Sequence, residues 1–212
     1  MIKLFLTSLI LIVAIGEIYN RWEIMTGLYG WKGILSLHLL CAVLCVALSA
    51  RFRRMVFKFK IGATAYLPSV IVLGGSILLS FSGHQSRSTI SPTEYLFFAA
   101  SITIVPIAEE IFFRGFITSL LQKAHAGVWS GYFSALIFSV AHTFPTFQRA
   151  LDLKIGAPIG PFLLGLICEF IVRKTGSLAP AIAFHSACNA TVIIFTMWSP
   201  GWLDKLSVFY LR

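Results

Sequence analysis

Acidic side chains are scarce in this chain: eight Asp and Glu among 212 residues, with charged residues of every kind at 12%. A soluble domain averages about 25% charged residues. With 58% hydrophobic residues and a mean hydropathy of +0.86, the shortage excludes an ordinary soluble fold with a solvated surface. Cysteine is sparse too. Cys41, Cys45, Cys168 and Cys188 all fall in apolar runs, with no Cys-x-x-Cys pair. That excludes a secreted disulfide framework and leaves four small buried apolar residues. Internal repeats and low-complexity tracts are absent. The length suits one compact bundle, a single membrane domain over 1–212.

The net charge is +9, but the basic residues are scattered between apolar runs. Only Arg51-Phe-Arg53-Arg54-Met-Val-Phe-Lys58-Phe-Lys60 clusters. No groove-reading motif accompanies it, which argues against nucleic-acid binding. Between two apolar runs, such a cluster reads as a cytoplasmic loop and a contact for anionic headgroups.

What the chain does have is apolar length. About seven segments are predicted as spans, near Ile2–Ile18, Gly33–Ala50, Ile61–Phe81, Tyr95–Leu120, Val128–Phe144, Ile159–Val172 and Leu178–Trp198. The fold class expected is all-α, a polytopic membrane helix bundle. A span needs about 20 residues, so the segment near Ile159 is short unless it extends at both ends. The first segment has the Lys3 and small residues of a signal peptide, but reads better as a retained first span. With the Arg51–Lys60 loop inside, seven spans put the N-terminus inside and the C-terminus outside. Short loops and small size point to a multi-pass protein of a bacterial cytoplasmic (inner) membrane.

Against this background, ionisable groups inside the apolar runs stand out. A charge at a helix centre costs roughly 2.5–3.5 kcal/mol on insertion scales. The fourth segment carries Glu109, Glu110 and Arg114. Residues four apart share a helix face, whereas adjacent ones diverge by about 100°. Glu110 is therefore the ion-pair partner of Arg114, and Glu109 points elsewhere. Pro106 removes a backbone donor just upstream and can bend the helix. A buried salt bridge explains Glu110 and Arg114 but leaves Glu109 over.

Phe138 and His142 share a face of the fifth segment, and His185 and Asn189 a face of the last. Taken singly, each reads as packing or as interhelical glue. Together they put a carboxylate, two imidazoles and a carboxamide at membrane depth. These are the parts for adding water to a carbonyl: Glu109 as base, His142 holding the water, His185 and Asn189 donating to the oxyanion. His38 shares a helix face with Cys41 and Cys45. A soft metal site is conceivable there, but a packed face is the better reading.

Glu109-Glu110-x-x-x-Arg114, Phe138-x-x-x-His142 and His185-x-x-x-Asn189, in this order, resemble the three motifs of the CPBP family. That family holds the type II CAAX prenyl endopeptidases and bacterial proteins linked to bacteriocin processing and immunity. Ser134-Ala-Leu-Ile-Phe-Ser-Val-Ala-His142 and Arg173-Lys-Thr-Gly-Ser-Leu-Ala-Pro180 are similar to its surrounding text. The resemblance covers a core of about 95–198, with 1–94 as additional N-terminal spans. It implies an intramembrane endopeptidase with Glu109 as base, His142 beside the water, and His185 with Asn189 at the oxyanion. Its substrate would be a membrane-associated protein or peptide, lipidated or bearing a C-terminal sorting segment.

The helical zinc pair His-Glu-x-x-His is missing. Two His and one Glu still leave zinc open, but Asn is a poor zinc ligand. The expectation is a glutamate protease with no cofactor and no assigned metal ligand. The alternatives are a zinc-dependent version, a non-enzymatic peptide-binding or immunity protein, and a proton or solute pathway.

Overall fold

The computed structural model describes residues 2–27, 31–48, 54–55, 58, 61–81, 92–124, 127, 129–147 and 159–198. Every regular element among them is helical. The elements are α1 (Ile2–Thr26), α2 (Trp31–Leu48), a 3-10 turn (Ala63–Tyr66) leading into α3 (Leu67–Ser80), α4 (Pro92–Ile102) and α5 (Ile104–Glu110). A π-helical segment (Ile111–Ile117) joins α5 to α6 (Thr118–Ala124). Then come α7 (Trp129–Phe147), α8 (Ile159–Thr175) and α9 (Ala179–Met197). Each of the expected apolar segments is thus helical. The loop Ser82–Ser88 and most of the basic Arg51–Lys60 cluster lie outside the described residues.

Two stretches, Ala63–Ser80 and Tyr95–Lys123, are long and apolar enough to cross a bilayer. Ser36–Ala47 and Ala179–Phe195 are shorter apolar helices. Only 17% of the Ala63–Ser80 window is covered by the rest of the protein. Leu67, Val70, Ile71, Leu78 and Phe81 stand exposed along it. An exposed apolar face of that extent marks a membrane or protein interaction surface.

Local sequence explains the breaks. The fourth segment is not one straight helix. It is interrupted at Thr103, whose N–H and hydroxyl both donate to the Ala99 carbonyl (3.1 and 2.6 Å). Pro106 follows one turn later, where its ring crowds the carbonyl four residues back. The second irregularity is the π-helical segment. The Thr118 N–H bonds the Phe113 carbonyl five residues back. The Thr118 and Ser134 hydroxyls reach the same carbonyl, each at 3.1 Å. Such π turns are rare and recur at functional sites. α8 ends on Gly176, at φ +65°, with its N–H on the Val172 carbonyl. This is the glycine-capped helix end. Arg173 and Lys174 occupy the last turn, where the helix dipole favours cations. α9 then starts with Pro180 in its first turn.

Packing places the fourth segment centrally. α2 lies along α5 and the π segment, and α9 touches α4 and α5 while running along α3 and α8. α7 packs on α8 and α1. Ala108 and Ile111 enter one core with Cys168, Ile171, Leu178 and Phe184. Phe113 and Ile117 enter a second with Ile15, Leu121, Ile137 and Phe138. Two glycines permit close approach. A Cβ on Gly165 would meet Ala135 at 2.9 Å and Arg114 Nη2 at 3.2 Å, and one on Gly131 would run into the Glu169 side chain.

Three connections meet at one end of the bundle. Lys58 Nζ donates to the Thr175 carbonyl (2.8 Å), and the Leu178 N–H to Met55 (3.1 Å). Arg173 donates to the Gly127 carbonyl (3.3 Å) and to Ser130 Oγ (3.0 Å), and its Nε to Glu169 (2.7 Å). The α2–α3, α6–α7 and α8–α9 connections therefore share a side, and that side carries Arg54, Lys58, Arg173 and Lys174.

Candidate active site

The site is built where α5 runs into the π segment. Glu110 and Arg114 are fully enclosed, with Arg114 Nε 3.3 Å from Glu110 Oε2. The pair that the i,i+4 spacing predicts is present. The guanidinium also lies over the Phe138 ring, 4.4 Å from its centroid. A cation on an aromatic face gains about 2 kcal/mol when desolvated.

Glu110 has a second partner that spacing along one helix does not predict. His185 Nδ1 donates to Glu110 Oε1 at 2.9 Å. A carboxylate can only accept, so this contact fixes the proton on Nδ1. Glu110 thus holds Arg114 with one oxygen and orients the His185 ring with the other.

Glu109 faces the opposite way and is ringed by imidazoles. His142 Nε2 is 3.7 Å and His185 Nε2 3.5 Å from Glu109 Oε2. His38 Nδ1 is 3.4 Å from Glu109 Oε1. These separations exceed a good hydrogen bond. His142 donates from Nδ1 to the Phe138 carbonyl, 2.9 Å away, so its Nε2 lone pair is turned towards Glu109. Phe138 sits among these groups, with its ring centroid 4.2 Å from His142, 5.0 Å from Phe113 and 5.8 Å from His185.

Burial gives the site a direction. The side chains of His38, Glu109 and His185 are no more than 4% exposed, whereas that of His142 is 34% exposed. His142 is thus the most open of these four side chains.

Asn189 lies one turn beyond His185 on α9. Its amide donates to the Ser101 carbonyl at 2.8 Å, beside the break at Thr103. The structure thus brings Glu109, His142 and His185 together and sets Asn189 on α4. His38 was not expected to join them. Its Nδ1 lies against Glu109, while Cys41 and Cys45 stand half-buried on the same helix. The available signal was an ionisable ring in an apolar run, and that signal does not say which neighbour it meets.

Imidazole nitrogens and carboxylate oxygens are donors that zinc accepts. Among the described residues, no His, Cys, Asp and Glu group has a metal-holding arrangement.

The order and spacing of these groups can be set against known families. Residues 89–191 match the family model described as Type II CAAX prenyl endopeptidase Rce1-like. The match covers this segment of the chain and not the helices before it. The Rce1-like segment contains Glu109, Glu110, Arg114, Phe138, His142 and His185, and also Asn189. It does not contain α1, α2 or α3, so His38 reaches the site from outside it. The likeness is to membrane proteases that act on membrane-associated peptides. No curated protein and no solved structure matches the chain.

Proposed function

We propose that the chain is an intramembrane endopeptidase in which Glu109 activates water against a peptide carbonyl. One observation carries the reading: a buried carboxylate has one oxygen within 3.7 Å of two imidazole nitrogens from two other helices. Both imidazoles are oriented by their Nδ1 partners, Phe138 and Glu110.

In this mechanism a water sits between Glu109 Oε2 and His142 Nε2. Glu109 takes its proton as the water oxygen attacks the carbonyl carbon. The carbonyl π electrons move onto oxygen. His185, held at Nδ1 by Glu110, presents Nε2 to that oxyanion. Asn189 has a second amide hydrogen beyond the one given to Ser101, and it can serve as the other donor. Collapse of the intermediate breaks the C–N bond, and Glu109 returns its proton to the leaving amine. No metal enters these steps.

The whole chain is read as one membrane domain crossing the bilayer seven times. The shared side of the α2–α3, α6–α7 and α8–α9 connections supports this, since alternate loops must lie together. Their positive charge makes that side cytoplasmic. The substrate would be a membrane-anchored peptide, with a prenyl chain or a C-terminal sorting segment as its anchor, and the home a bacterial cytoplasmic membrane.

The test is cleavage by purified protein in micelles of matched peptides with and without a prenyl group, read by mass spectrometry. Wild type should cut at one bond, and Glu109→Gln and His142→Ala should not. Cleavage retained in both variants would end this reading.

A further inference from the structure

α2 lies outside the family-matched segment, yet it delivers a buried imidazole to Glu109. We propose that His38 is a positioning residue that fixes which oxygen of Glu109 acts as the base. The proposal rests on reading Glu109 as that base.

The geometry is two-sided. His38 Nδ1 faces Oε1 at 3.4 Å, while His142 and His185 face Oε2 at 3.7 and 3.5 Å. Opposite oxygens of one carboxylate thus have different neighbours. The terminal torsion of a glutamate is broad and roughly two-fold, so a carboxylate held on one side only can swing. Closing the 3.4 Å gap between His38 Nδ1 and Oε1 into a hydrogen bond would remove that freedom and leave Oε2 aimed at the water. Misplacing a reacting group by about 1 Å can cost 100-fold in rate.

The surroundings hold His38 for this task. Its ring lies 6.1 Å from Phe112 and 6.2 Å from Phe113, both on the π segment. The π segment therefore sets both the Glu110–Arg114 pair and the wall against which His38 rests. Leu37 and Ala42 bury the same helix. Two residues before His38, Ser36 takes a hydrogen bond from Trp22 Nε1 at 2.8 Å and donates to the Gly33 carbonyl at 2.8 Å. α1 thereby pins α2 next to the site. A leucine or phenylalanine would fill such a place without the cost of burying a polar ring. An imidazole there sets a ring nitrogen against the Glu109 carboxylate.

The experiment compares His38→Leu, His38→Asn and His38→Gln in the full chain, on whichever matched peptide wild type cleaves. The amide nitrogen of Asn falls near the imidazole Nδ1, and that of Gln near Nε2. Leu should lower kcat by about 10–100-fold and leave KM within about three-fold. Asn should recover most of the loss, and Gln should not. Thermal melting of the purified variants separates these effects from folding. The proposal is overturned if folded His38→Leu keeps kcat within two-fold of wild type while Glu109→Gln is inactive. It is also overturned if Gln rescues as well as Asn, or if the loss lies in KM alone. Were Glu109→Gln itself fully active, the reading of Glu109 would fail instead.

Discussion

Removing Arg114 should destabilise the bundle through the charge it leaves behind. Arg114 Nε and Glu110 Oε2 are 3.3 Å apart with both side chains fully enclosed. At an effective dielectric of about 20, that separation corresponds to an attraction of about 5 kcal/mol. Truncating one member of a buried pair costs about 3–5 kcal/mol, because the other charge stays buried without a partner. Arg114→Met should therefore cost about that much, and Glu110→Gln a similar amount. The double variant removes both charges of the pair, so it should fall short of the sum of the singles by about 3 kcal/mol. The Phe138 stacking is lost in both Arg114→Met backgrounds and cancels from the coupling. Gln at 110 keeps an oxygen that can accept from His185, which limits side effects at that ring. Reversible unfolding in mixed micelles, titrated with a denaturing detergent, reads the four free energies. Strictly additive singles, or an Arg114→Met variant as stable as wild type, would refute the assignment of this pair as a buried charge lock.

Further expectations concern the shape of the site. Thr118→Val should destabilise by about 1–3 kcal/mol, since its hydroxyl serves both the Phe113 carbonyl and Glu169 Oε2 (3.1 and 3.0 Å); unchanged micellar stability would count against the π segment needing that support. Gly131→Ala should cost about 1–3 kcal/mol through overpacking against Glu169, visible as a lower melting temperature, and a neutral result would mean that Glu169 can step aside. His142→Ala should abolish cleavage yet leave melting nearly unchanged, because that side chain is 34% exposed; a large loss of stability would make it a packing residue.

Much of the site was legible in local spacing. Glu110 meets Arg114 because four residues bring them back to one face, and the π segment that carries Arg114 leaves the pair 3.3 Å apart. The break near Pro106 follows from its missing N–H and its ring. The spacing of His185 and Asn189 put them on one face, but a face is not a target: Asn189 found the Ser101 carbonyl, and His185 found Glu110 as well as Glu109. His38 shares a face with Cys41 and Cys45 and so reads as packing within its own segment; its place beside Glu109 depends on interhelical register, which is decided by side-chain fit that no single segment carries. The π segment left no sequence signal at all. It depends on a carbonyl being reached by Thr118 from its own helix and Ser134 from the next.

The most direct test of the central claim is the rate at which Glu109→Gln, reconstituted and shown folded by its melting curve, cleaves a peptide that wild type cuts. The substitution is nearly isosteric, so the ring of imidazoles and the Glu110–Arg114 lock stay in place while the base is lost. The account predicts no product above the uncatalysed background. Product at the wild-type rate would contradict it.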